Sequence, residues 1–200
     1  GVQTCALPTC IVSTAAITDA TPAVEGSYTG YRQARLEIAR QYRENPMLGG
    51  QPAFDVILGG GADPFTATGR VDKRDLIGEF QGLGYQYVRS ATELKAANNN
   101  QPILGLFKGS LNPAPASNGI ATASDVNMDV AYDKLGLQRP ASEPLANLGA
   151  FTDQPMLDQM TDKALQILSK PGLLTARFIL MVEGAQIDKQ SHPNQAAGTI

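Results

Sequence analysis

The sequence predicts an α/β domain, a three-layer sandwich with a mostly parallel central sheet and helices on both faces. Three observations carry that reading. Residues 54–58, 102–107 and 178–182 are short apolar runs, with the length and composition of strands buried on both faces. Segments between such runs place apolar residues at helical spacing. Turns rich in Gly, Pro and Asn separate the two kinds of segment, as in strands joined by crossover helices.

In order, residues 11–14 read as a short buried strand. Asp19-Ala-Thr21-Pro22 then signals a helix start, with Pro at the first helical position. Residues 33–44 form a charged amphipathic helix with Leu36, Ala39 and Tyr42 on one side. The strand at 54–58 closes on Gly59-Gly-Gly-Ala62, which lacks the spacing of a phosphate-binding loop and reads as a tight strand-end turn. Residues 73–83, carrying Leu76, Ile77 and Phe80, read as a helix ended by Gly84. A strand at 85–88, a short helix at 91–97, an Asn-rich turn and the strand at 102–107 follow.

Residues 108–154 lack periodicity and read as a loop-rich insertion. Asp125, Asp129, Asp133 and Asp153 do not have the spacing of a calcium-binding loop. Helix 155–169 is expected to be capped by Asp153, with Leu157, Met160, Ala164 and Leu168 as a core stripe and Gly172 beyond its end.

Composition limits the function. A net charge of −3 with 18% charged residues argues against a nucleic-acid surface, and no apolar run has the length of a membrane span. No signal peptide is visible. Residues 2–8 resemble a translated sequencing adapter, which would make 1–9 a non-native leader before a partial domain at 10–200. The alternative is a natural N-terminus with a Cys5–Cys10 disulfide. Neither repeats nor a linker divide the chain, and both ends read as the ends of a sequenced fragment.

The chemistry concentrates in residues 183–192, just after the last strand. Glu183 ends the strand, and Asp188, Lys189 and the chain's single His, His192, follow. In open α/β sheets ligands bind at the carboxyl ends of strands. Asp188 and His192 are four residues apart, so one helical turn puts them on one face, and an oxygen with an imidazole suits Zn²⁺. A capped or solvated Asp/His pair would give the same spacing.

The whole string Met-Val-Glu183-Gly-Ala-Gln-Ile-Asp188-Lys189-Gln-Ser-His192 resembles the metal-binding motif of the alkaline phosphatases, and Asp19-Ala-Thr21-Pro-Ala resembles a second motif of that family. The resemblance implies an alkaline-phosphatase-like fold and hydrolysis of small-molecule phosphate monoesters through a phosphoserine. It implies Mg²⁺ on Thr21 and Glu183, with Asp19 holding one of its waters, and Zn²⁺ on Asp188 and His192. Arg32, thirteen residues after Asp19, would grip the phosphate directly, and Lys189 would reach it through water. The Asp19/Lys189 combination resembles the magnesium-using bacterial branch. The nucleophilic Ser and the remaining zinc ligands are expected outside this sequence, leaving the fragment alone inactive. A homodimer in the periplasm or outside the cell is also implied. A phosphodiesterase or phosphonate hydrolase of the same superfamily, or a non-catalytic metal- or phosphate-binding relative, are the alternatives.

Overall fold

The computed structural model describes residues 8–107, 153–169 and 177–191. Among these residues five strands form one sheet: β1 (Thr9–Ala16), β2 (Val56–Gly60), β3 (Gln86–Val88), β4 (Ile103–Leu106) and β5 (Ile179–Glu183). Their order is β3-β4-β2-β1-β5, and every neighbouring pair is parallel. Among the described residues six α-helices accompany them: α1 (Ala20–Gly26), α2 (Arg35–Arg43), α3 (Leu76–Gly82), α4 (Ala91–Ala96), α5 (Leu157–Leu168) and α6 (Ala185–Ser191).

The alternation of each strand divides its side chains between two cores. Ile11, Ile57 and Leu104 pack with Ile38, Tyr42, Leu76 and Phe80 on the face covered by α1, α2 and α3. Val12, Leu58 and Ile103 point the other way, to Leu94 of α4 and Met160, Ala164 and Ile167 of α5. The expected three layers are therefore present. The stripe on α5 is core, as its spacing suggested.

Particular residues fix the joints. Gly61 has φ +76, and a Cβ there would lie 2.8 Å from that of Ala16, so the turn after β2 can approach the end of β1 only without a side chain. Lys163 of α5 is buried, and its ammonium donates to the Ala97 carbonyl and Asn99 Oδ1, each at 2.9 Å. A cation thus sits at the C-terminal end of α4, where carbonyls lack helical partners.

Several expectations need correction. Asp153 does not cap α5. Its Oδ2 accepts from the Thr92 N–H at 3.0 Å and its carbonyl from the Ala91 N–H at 2.8 Å, so it serves the start of α4. The residue before α5 is Met156, whose N–H donates to Gln159 Oε1 at 2.8 Å. Pro22 is the third residue of α1, not the first; the helix starts at Ala20 with Asp19 as its cap. Proline is tolerated there because N–H groups of a first turn have no helical acceptor. Finally, β5 is not buried on both faces: Ile179 is 54% and Val182 41% exposed. Among the described residues it is the last strand in the order, paired with β1. The proposed insertion, apart from Asp153 and Gln154, lies outside the described residues, as do Cys5 and Gly172. Cys10 is a buried free thiol.

Candidate metal and phosphate site

β1 and β5 run side by side in the same direction, with Ser13 opposite Glu183, so both strands deliver their following residues to the carboxyl end of the sheet. After β1 the chain bends. The Ile17 N–H donates to the Gly60 carbonyl at 3.0 Å and the Asp19 N–H to that of Ala16 at 2.8 Å. Helix α1 then begins, with Asp19 Oδ1 accepting from the Ala20 N–H at 3.0 Å. This turn carries Asp19 and Thr21, and the Thr21 side chain is exposed. The preceding Thr18 hydroxyl is fully buried and has no hydrogen-bond partner among the described residues. Orphaned buried polar atoms of this kind are where ordered water or ligand is sought first.

The structure brings Arg32 to Asp19, with Nη2 3.5 Å from Oδ1. The Arg32 side chain is 66% exposed, so this is a solvated pair with room to move. A second guanidinium, from Arg35 in the first turn of α2, lies 3.9 Å from the same oxygen and is only 19% exposed. The spacing from Asp19 marks Arg32 in the sequence, and nothing local marks Arg35.

Glu183, at the end of β5, accepts a hydrogen bond on Oε2 from the Ser13 hydroxyl. Its other oxygen accepts none from the described residues. Ser13 was also missed, although a serine in the buried part of a strand is a visible signal. One residue after Glu183, the chain enters α6, whose first turn presents Asp188 to solvent. Lys189 is the next residue of that helix, and its side chain lies outside what is described. His192 lies outside the described residues.

Asp19, Thr21 and Glu183 offer only oxygen donors, the hard set that Mg²⁺ prefers while keeping several waters. Among the described residues no three His, Cys, Asp or Glu side chains gather into a ready cluster. The donor chemistry fits magnesium.

Comparison with known proteins gives one family. The model of the alkaline phosphatase family matches residues 6–200. Alkaline phosphatase H of Pseudomonas aeruginosa is 34% identical over 94% of this chain and 41% of its own length. The crystal structure of the Thermus thermophilus alkaline phosphatase superposes with a TM-score of 0.66 at 28% identity, covering 96% of this chain and 32% of that one. A histidine-to-aspartate variant of the TAB5 alkaline phosphatase has magnesium bound in its M3 site; it superposes at 0.60 and 26% identity, over 97% of this chain and 43% of that one. The chain spans only 30% to 41% of the length of relatives such as those of Escherichia coli and P. aeruginosa.

Proposed function

Because this chain belongs to the alkaline phosphatase family, we propose that the protein containing it hydrolyses phosphate monoesters, and that the chain contributes a magnesium site, part of a zinc site and the phosphate clamp. The observation that carries this most directly is the joining of Asp19 and Arg32 at the end of β1, beside the strand that ends in Glu183.

In this reading Thr21 and Glu183 bind magnesium, and Asp19 orients one of its waters. Asp188 and His192 bind zinc. Divalent ions, when bound, neutralise the negative charge that gathers on the entering and leaving oxygens. Arg32 leaves its exposed pairing with Asp19 to clamp two non-bridging phosphate oxygens, for which its planar fork is suited. Lys189 adds a compact charge that reaches phosphate through water. These residues bind and orient; a serine elsewhere in the whole protein takes the phosphoryl group. The Asp19/Lys189 combination supports placement in the magnesium-using bacterial branch. A homodimer in the periplasm or outside the cell is part of the same proposal. Among the described residues no helix is long and apolar enough to cross a membrane.

The test is an assay of the whole protein with a chromogenic monoester and the matching diester, alongside metal analysis. Preference for the monoester, with zinc content and turnover both falling by orders of magnitude in His192→Ala, is the expected result. Preference for the diester would favour a phosphodiesterase. Undiminished zinc in the variant would remove His192 from the ligand set. The 200-residue chain assayed by itself is expected to be inactive.

A further inference from the structure

Ser13 is fully buried, in a strand whose neighbouring positions are Val12, Thr14, Ala15 and Ala16. Alanine would satisfy packing there, so the hydroxyl needs another explanation. A serine hydroxyl has one proton and two acceptor sites. The Ala15 N–H donates into Oγ at 3.0 Å. The serine's own proton is then available to give, and it goes to Glu183 Oε2 at 2.5 Å. The pairing is built into the sheet, because Ser13 and Glu183 are register partners on adjacent strands.

The hydroxyl has a fixed direction for that reason: a backbone N–H on one side and a carboxylate on the other. Glu183 stands at the last position of β5, the outermost strand among the described residues, and is only half-buried. The terminal torsion of a glutamate is broad and roughly two-fold, so little else would set the plane of its carboxylate. Partners that fix a ligand's orientation from behind commonly alter metal affinity 10- to 100-fold when removed.

We infer that Ser13 is a positioning residue for the cation site: it holds the Glu183 carboxylate by one oxygen and leaves the other to magnesium. This rests on the reading above that Glu183 is a magnesium ligand.

The experiment is titration of magnesium into the zinc-loaded, magnesium-free whole protein by calorimetry, for wild type, Ser13→Ala, Ser13→Thr and Glu183→Gln, with the unfolding midpoint of each magnesium-free protein recorded. The expected result is that Ser13→Ala raises the magnesium Kd about 10-fold or more in a protein still folded at the titration temperature, its midpoint lowered because the Ala15 N–H loses its acceptor, and that Ser13→Thr, which keeps the hydroxyl, restores the affinity. A Kd within two-fold of wild type in Ser13→Ala, while Glu183→Gln loses binding, overturns the inference and leaves the ligand assignment standing. Wild-type affinity in Glu183→Gln overturns the assignment itself. If Ser13→Ala does not fold, Ser13→Cys, similar in size and a weak donor, is held to the same threshold.

Discussion

The hydroxyl of Tyr42, on α2, donates to the carbonyl of Pro22 at 2.7 Å. The same proton is shared with the Ile17 carbonyl at 2.8 Å. Ile17 and Pro22 bracket Asp19 and Thr21, so one buried phenol pins both sides of the turn that carries them. Burial, with the charge of Glu25 adding, pushes this phenol well above its usual 10, so the donor keeps its proton in alkaline solution.

Replacing Tyr42 by Phe leaves two buried carbonyls without their donor. The expected loss is about 1–3 kcal/mol of unfolding free energy, measured by urea denaturation, with little change in the slope. A loss below about 0.5 kcal/mol, the range of an ordinary surface substitution, would show that the turn is held by other contacts.

Glu44 gives a pH signature. Arg74, with Nη1 2.9 Å from Oε1, and Arg40, with Nη1 2.8 Å away, hold its carboxyl at about 2 in place of the ordinary 4.5. A depressed pKa stabilises the fold above the unfolded-state value and loses that contribution as pH falls towards the native one. The wild type should therefore lose stability between pH 4.5 and 2 more steeply than Glu44→Gln. The pair is partly solvated, so the difference is on the order of 1 kcal/mol. Parallel acid-unfolding curves for the two proteins would contradict this.

The two arginines at Asp19 should separate kinetically. Hydrogen bonds to charged groups contribute about 1.5–3 kcal/mol, so Arg32→Ala in the whole protein is expected to raise KM and the inhibition constant of inorganic phosphate about 10-fold or more. Arg35, less exposed and at the start of a helix, is expected to move both less than about three-fold, because it steadies Asp19 while Arg32 travels. Equal effects would make them joint clamps.

Gly61→Ala tests the close approach of the two turns. A left-handed backbone costs an ordinary residue about 1–2 kcal/mol, and the added methyl also meets Ala16. The variant should lose at least that much stability and bind magnesium more weakly, since the bend after β1 must shift. Unchanged stability and affinity would mean the turn has slack.

The sheet and its helices were legible because burial on two faces and helical periodicity are both written in single segments. The run at 54–58, whose strand lies two residues later at Val56–Gly60 and takes in two glycines expected to form the turn, and the stripe of Met160 and Ala164 are examples. What escaped reading depended on strand order. Val182 is partly in solvent on β5, the outermost of the described strands, and an apolar run has no mark that distinguishes the rim of a sheet from its middle. The role of Asp153 escaped for a similar reason: it precedes α5 in sequence but reaches α4 in space. At the site, local strings pointed to Asp19, Thr21 and Glu183. Arg35 and Ser13 act through partners 16 and 170 residues away, and no string of neighbours records such a distance.

With Glu183 assigned as proposed, the Ser13–Glu183 register pairing would couple strand alignment to metal uptake. If β5 slipped by one place against β1, its side chains would exchange faces, and Glu183 would meet Val12 or Thr14. Such a chain could remain compact yet lack its serine-held carboxylate. Cation affinity would then be a sensitive assay of correct strand alignment during refolding, one that circular dichroism, blind to a one-place slip, could not replace.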